Sequence, residues 1–228
     1  MSQDRKVLGG RIAVLEMQVY GLIKNFTLLV FHSILIASVL HGDITVGADA
    51  VSRYVWRGTD YGNAAAVQPF IEKSIGSVTI GAWGSFPLTD PTGTSESGGN
   101  ECDLFLSTTA GPVELTLTDY FFPAYLGEDE LSNADNHITE LSAGVDVSSI
   151  SVLAATNVSG DDDNSTYLEF SYGVFSLGFG DGLYSTDGKF SPVSIGVSAS
   201  KDSFSVGYSI NPDQDTSFLV FSINLIGD

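Results

Sequence analysis

Basic residues are scarce in this chain, and cysteine and histidine are scarcer still. Its 228 residues include 9 Lys and Arg against 28 Asp and Glu, one cysteine and three histidines. A single cysteine, Cys102, excludes an internal disulfide and a zinc or thiol site built on several cysteines. His32, His41 and His137 are too few and too scattered for a metal cluster. We therefore expect no cofactor and no metal centre.

The shortage of basic residues is greatest after the N-terminal segment. Four basic and two acidic residues precede position 43, so the remainder holds 5 basic and 26 acidic residues, a net charge of −21. A surface so negative repels a phosphate backbone, which excludes nucleic acid as a partner. The same charge attracts cations, or keeps the chain soluble before it reaches its destination.

Sequence signatures of catalysis are also missing. The chain has no phosphate-binding loop, nucleotide-binding fingerprint or metalloprotease motif. His137 is the one histidine after the N-terminal segment, and Ser and Asp are so abundant that some neighbour for it arises by chance. The sequence therefore predicts that the protein is not an enzyme.

The long apolar run of the chain lies close to its N-terminus. Residues 26–40 (FTLLVFHSILIASVL) follow Lys24 and have about the length of the hydrophobic region of an export signal, which is short for a membrane-spanning helix. We interpret residues 1–42 as an N-terminal extension and signal peptide, cleaved within about 38–46. The alternative is a buried helix or a membrane anchor. Met17 offers a more ordinary start than Met1.

Residues 43–228 are dominated by segments in which apolar residues alternate with polar or small ones. A period of two is typical of β-strands with two unlike faces. In the first segment Val46, Ala48, Ala50, Ser52, Tyr54 and Trp56 share one face, opposite Thr45, Gly47, Asp49, Val51, Arg53, Val55 and Arg57. We predict strands over residues 45–57, 65–74, 77–87, 101–111, 112–124, 136–148, 149–158, 164–173, 174–182, 191–200, 202–211 and 216–226.

Tight and loose connections alternate between these predicted strands. Tight turns fall near residues 75–76, 111–112, 148–149, 172–173 and 201–202, and looser ones at 58–64, 88–100, 125–135, 159–163, 183–190 and 211–215. Short turns at one end and long loops at the other are typical of outer-membrane barrels. The sequence thus predicts an all-β fold: an up-and-down antiparallel transmembrane β-barrel of about 12 strands over residues 43–228. Both termini would then lie on the periplasmic side of a bacterial outer membrane.

Aromatic residues gather at the predicted ends of several strands. Amphipathic rings suit the level of the membrane interface, so we expect an aromatic girdle at the outer rim. Ordinary β-propensity of aromatic residues is the alternative explanation. The candidates for the girdle are Tyr54, Trp56, Phe86, Phe121 and Tyr125. Strict alternation also puts Asp119 on the lipid-facing side, where a charge is unfavourable.

Charged residues recur on the predicted inner face. Inward charges either line a water-filled path and select ions or pair across the lumen and close it, and acids outnumber arginines here. The candidates for lining a pore are Asp49, Arg53, Arg57, Glu72, Trp83, Glu101, Asp103, Glu114, Glu140, Asp146 and Glu169. Predicted strands 191–200 and 202–211 present mainly Ser and Gly inward, which leaves space on that wall.

The looser loops are rich in carboxylates. Clusters such as Asp161, Asp162 and Asp163 are weak candidates for calcium or magnesium, which would bridge to anionic lipopolysaccharide. No EF-hand spacing is present, so a solvated acidic surface is the favoured interpretation.

Two stretches carry a family resemblance. Residues 47–58 (GADAVSRYVWRG), followed by Val67-Gln68-Pro69, resemble the opening of the TorF family of bacterial porins, with further likeness at residues 101–104 and 120–123. The resemblance implies an outer-membrane barrel with a transport role and carries no catalytic residues.

These observations favour a porin-like channel for passive passage of small solutes or ions, with a cation bias. Its expected partners are outer-membrane lipid, lipopolysaccharide and the solutes themselves, and a homo-oligomer is compatible with the sequence. One alternative is a closed barrel with a structural, adhesion or binding role through its acidic outside loops. Another is a soluble secreted barrel, which would turn its apolar face inward around a ligand.

Overall fold

The computed structural model describes residues 44–62, 64–89, 100–123 and 136–226. The predicted extension and signal peptide, residues 1–42, lie outside these ranges. Within them, no helix has the length and apolar character needed to cross a membrane.

Twelve long antiparallel strands form a closed barrel in the described residues. Each strand pairs with its neighbour in the chain, and the first pairs with the last, so the sheet has no free edge. This confirms the predicted all-β fold, an antiparallel barrel of about 12 strands. The barrel strands are β1 (Ile44–Val51), β4 (Ala66–Ile75), β5 (Val78–Pro87), β6 (Glu101–Ala110), β7 (Val113–Phe121), β8 (His137–Val147), β9 (Ile150–Ser159), β10 (Thr166–Tyr172), β11 (Phe175–Gly180), β12 (Ser191–Lys201), β13 (Phe204–Asn211) and β14 (Thr216–Ile226).

Two-residue turns join strands at one end of the barrel, as predicted. The residues that flank each turn pair directly, for example Ile75 with Val78 and Lys201 with Phe204. The first turn residue has positive φ, supplied by glycine at Gly76, Gly111 and Gly173. The start of β1 and the end of β14 lie at this same end. We call it the short-turn end and the opposite one the long-loop end.

The outer face of the barrel is apolar. Leu104, Leu117 and Phe221 are among many large apolar side chains that project outward and stay exposed, while serine, glycine and carboxylates occupy the alternate positions. Buried apolar residues are few in the described ranges: Ala66, Ala155, Tyr167, Tyr184 and Val193. A soluble barrel would bury its apolar face, so this orientation is the reverse of the soluble alternative.

The first predicted strand is wrong in its second half. Strand β1 ends at Val51, and the chain then turns inward to form a short hairpin of β2 (Val55–Trp56) and β3 (Thr59–Asp60), paired as a separate sheet. Alternation continues through both pieces, and no Gly or Pro marks the break after Val51. The period of two therefore could not separate a long wall strand from a wall strand followed by a hairpin.

A bulge changes the orientation of Val193, which strict alternation with the outward Ile195 and Val197 would put on the outer face. Gly178 pairs with Ser194 and Phe179 with Pro192, so Val193 is an extra residue on β12. Its side chain is fully buried in a cluster with Ala155, Tyr167 and Tyr184.

Candidate functional site

The segment 52–62, which we call the plug hairpin, lies inside the barrel. It joins β1 to β4 at the long-loop end, touches side chains of β5, β7, β8, β10 and β14, and approaches the backbone of β12. Arg57 and Gly58 form its tip with φ of 49° and 81°, the pair of positive values that a type I′ hairpin turn requires. A non-glycine residue at positive φ is uncommon, which indicates that Arg57 is held by its contacts.

Arg57 binds the wall of the barrel through an ion pair with Glu140 on β8. Nη1 of Arg57 donates to Oε2 of Glu140 at 2.5 Å, and Nη2 donates to Oε1 at 3.0 Å. The two side chains retain only 7% and 3% exposure. Hydroxyl groups of Tyr120 and Tyr184 also donate to Glu140, each at 3.1 Å. A buried carboxylate with this many donors is fully compensated, and the pair fixes the hairpin tip.

Aromatic rings surround the same guanidinium. Its carbon lies 4.1 Å from the ring centre of Trp56, 4.3 Å from that of Tyr167 and 5.1 Å from that of Tyr184. Cation–π contacts of this kind gain strength when water is excluded. The sequence signal for this cage was the inward position that alternation within each strand assigns to Tyr120 and Tyr167. Sequence reasoning missed it because it read aromatic residues as a girdle.

Further contacts hold the base of the plug hairpin. Nη1 of Arg53 donates to Oδ2 of Asp60 at 2.6 Å, and its guanidinium lies 5.5 Å from the ring centre of Phe218 on β14. The amide of Ser52 donates to the carbonyl of Phe221, whose own amide donates back to Oγ of Ser52. The hairpin is therefore anchored on both sides of the lumen.

A glycine at its tip lets the plug hairpin approach the barrel wall closely. A Cβ at Gly58 would overlap the carbonyl oxygen of Val193, so the hairpin tip approaches the backbone of β12 as closely as glycine permits. The sequence predicted space on the wall formed by β12 and β13. The structure shows that hairpin backbone comes up against part of that wall.

The short-turn end of the lumen holds a cavity of about 280 Å³. Its lining includes three carboxylates, Glu114, Asp146 and Glu169, together with Ser151 and Ser171. Asp146 accepts from Oγ of Ser151, and Glu169 accepts from the hydroxyl groups of Tyr167 and Ser171. The lumen is therefore filled at the level of the plug hairpin and holds an acidic cavity towards the short-turn end.

The predicted pore-lining residues all lie on the inner side, although by two different routes. Arg53 and Arg57 belong to the plug hairpin and not to the wall. The others are on inward positions of the strands: Asp49, Glu72, Trp83, Glu101, Asp103, Glu114, Glu140, Asp146 and Glu169. Their role in lining a pore stays a prediction.

The predicted aromatic girdle is only partly on the outer face. Tyr54 and Trp56 are inside the barrel, where Tyr54 packs on Trp83 with ring centres 5.5 Å apart, so their assignment to the girdle is wrong. Phe86 and Phe121 do lie on the outer face of the barrel. Tyr125 is not among the residues that the structure describes.

Asp119 is on the outer face, as alternation predicted, and it is paired there. Its Oδ2 lies 2.9 Å from Nδ1 of His137, whose ring stacks on Phe121 with centres 4.7 Å apart. The pair sits towards the long-loop end of β7 and β8, where a charge on the outer face is less costly than at mid-height.

Asp161, a weak metal candidate, organises its own loop. Its carboxylate accepts from Nδ2 of Asn157 and from the amides of Ser165 and Asp163 at 2.8, 2.8 and 3.1 Å. Burial opposes ionisation, but these hydrogen bonds outweigh it and lower the pKa of Asp161. Across the described ranges, no three or more His, Cys, Asp or Glu side chains are arranged to hold a metal ion.

The fold and the lumen define a class: a twelve-stranded antiparallel barrel with an apolar exterior and an in-folded hairpin. Residues 41–222 match the family described as bacterial protein of unknown function (Gcw_chp), and the chain belongs to that family. The match includes the whole plug hairpin. No curated protein matches the chain.

Proposed function

We propose that the protein is a bacterial outer-membrane channel for small solutes or ions, biased towards cations and closed by the plug hairpin. The observation that carries this proposal is the reversed barrel, apolar outside and polar inside. An apolar outer face of this extent is unfavourable in water but is what a hydrocarbon layer solvates.

Two features of the interior support a conducting role. Carboxylates dominate the inward charges, and the acidic cavity at the short-turn end would concentrate cations at that mouth. The obstruction is one hairpin and not a wall of barrel strands, and it is joined to the wall by side-chain contacts and, at its base, by the hydrogen bonds between Ser52 and Phe221. Displacement of the plug hairpin would open the path without breaking the sheet.

The decisive experiment is single-channel recording of the refolded chain in a planar bilayer under a salt gradient. The wild type is compared with Arg57→Ala and with a variant in which residues 53–61 are replaced by a short Gly-Ser linker. We expect rare or small steps in the wild type, frequent larger steps in both variants, and a reversal potential that shows cation preference. Glu114→Lys should reduce that preference, because it reverses a charge in the acidic cavity.

A second candidate function is a permanently closed barrel with a structural, adhesion or binding role. The buried Arg57–Glu140 pair and the aromatic cage favour it, since both stabilise the filled lumen. In that case the linker variant would insert and conduct, whereas the wild type would insert and never conduct under any voltage or solute. The proposed partners of either form are outer-membrane lipid and lipopolysaccharide. We propose no enzymatic activity for either.

A further inference from the structure

Two neighbouring carboxylates inside the barrel have no basic partner among the residues that the structure describes. Glu101 and Asp103 are two residues apart on β6, on the same inward face, with 5% and 7% exposure. Oδ1 of Asp103 is buried and accepts no hydrogen bond. Two like charges in a dry environment repel each other unless something positive lies between them.

The arginines of the plug hairpin do not supply that charge. Arg53 is bonded to Asp60 and Arg57 to Glu140. The surroundings of the two carboxylates instead offer neutral oxygens. Ser85 on β5 pairs with Glu101 across the sheet and is buried, and the hydroxyl of Tyr54 interacts with the Glu101 carboxylate. All of these groups are oxygen ligands. Hard cations prefer oxygen ligands, whereas transition metals favour nitrogen and sulfur.

We propose that Glu101 and Asp103 form a binding site for one hard divalent cation, calcium above all, beneath Tyr54 of the plug hairpin. Calcium accepts irregular oxygen sets and keeps water molecules where protein ligands are few, so two carboxylates with neutral oxygens suit it. The bound ion would neutralise the pair and tie the hairpin to β6. The site is independent of whether the barrel conducts.

Calorimetric titration of the refolded chain in detergent with Ca²⁺ tests this proposal. We expect one site per chain with a dissociation constant on the order of 10⁻⁴–10⁻³ M, the range of weak extracellular calcium modules. Asp103→Asn and Glu101→Gln should each weaken binding at least about tenfold, since each removes a charged ligand. Asp187→Asn is the control, because that carboxylate is exposed and paired with Lys189 and should leave binding unchanged.

The wild type alone provides a second readout if a variant fails to fold. Trp83 pairs with Asp103 across the sheet, so Ca²⁺ should change tryptophan fluorescence and raise Tm with the same concentration dependence as the heat signal. Absence of saturable binding, or equal binding by wild type and Asp103→Asn, would overturn the proposal. The proposal would also be overturned if the wild type bound no Ca²⁺ and the Glu101→Gln variant were more stable than the wild type. The two carboxylates would then share a proton. A chain that binds Ca²⁺ but never conducts would defeat the channel and leave this site standing.

Discussion

Arg57 and Glu140, 83 residues apart in the chain, meet inside the barrel through two parallel hydrogen bonds. One residue is the tip of a hairpin that enters from the long-loop end, and the other belongs to the wall strand β8. Their bond therefore joins the plug to the barrel. Because both side chains are nearly inaccessible to water, the interaction is not screened as a surface pair would be.

Removal of one partner of this pair should be costly. Arg57→Met leaves Glu140 buried with tyrosine donors but no cation, and we expect a loss of about 3–5 kcal/mol in the free energy of unfolding. The double variant Arg57→Met/Glu140→Gln should recover part of that loss, because no buried charge remains. Urea unfolding of refolded protein in vesicles measures both. The matched control is Lys189→Met, which breaks the exposed pair with Asp187 and should change nothing measurable.

Gly58 should tolerate no side chain while the plug is in place. Gly58→Ala adds the roughly 1–2 kcal/mol of a left-handed L-residue and a clash with the Val193 carbonyl, so the hairpin should leave the lumen. Trypsin should then cut after Arg53 and Arg57, which we expect to be protected in the wild type. Gly76→Ala is the control, since Gly76 also has positive φ but nothing within 4 Å of its added Cβ. Equal protection of both variants would contradict the in-folded hairpin.

An arginine substitution should destabilise the protein more on the outer face of β12 than on its inner face. Val197 projects outward, and Val197→Arg should cost about 2–4 kcal/mol on folding into a bilayer if it lies near mid-height. Ser198→Arg faces the lumen beside Gly207, where space is available, and should cost less than half as much. Folding equilibria in vesicles against urea provide the measurement. A larger penalty at Ser198 would mean that the apolar face does not meet lipid.

The loop between β9 and β10 should resist acid. The pKa of Asp161 is lowered in the folded state, so the stabilisation from its hydrogen bonds is complete above the ordinary aspartate pKa and is lost as pH falls through the lowered value. Hydrogen exchange at the amides of Ser165 and Asp163 should therefore accelerate only under strongly acidic conditions. Asp161→Asn should expose both amides at neutral pH, and Asp162→Asn should not. Unchanged protection in Asp161→Asn would assign the order of this loop to other contacts.

Local patterns were enough to predict the walls of the barrel. Alternation located all twelve wall strands, and the two-residue turns fell where glycine, serine or aspartate permits positive φ. The placement of Glu101, Asp103 and Glu140 on the face opposite the apolar residues followed from the same parity. These features depend on neighbours in the chain or on adjacent antiparallel strands, so a period of two is sufficient to specify them.

The interior of the barrel could not be predicted in this way. Tyr54 and Trp56 continue the alternation of β1, yet they lie in the lumen because the chain turns after Ser52 and pairs with itself. Val193 points inward because of a bulge whose register depends on the partner strand. Both outcomes are determined by what fills the closed cylinder, and that information is distributed over several strands.

The sequence by itself determined twelve strands, each with an apolar and a polar face, and both ends of the sheet at the short-turn end, whereas the structure decided that the apolar face lies outside. Strand parity and turn chemistry depend on residues that are close together in the chain, so they can be predicted from the sequence. Only the tertiary structure decided that the stretch 52–62 occupies the lumen and that Arg57 meets Glu140. Closure of the sheet brings those residues within hydrogen-bond distance, and the burial of a paired charge among aromatic rings holds them there.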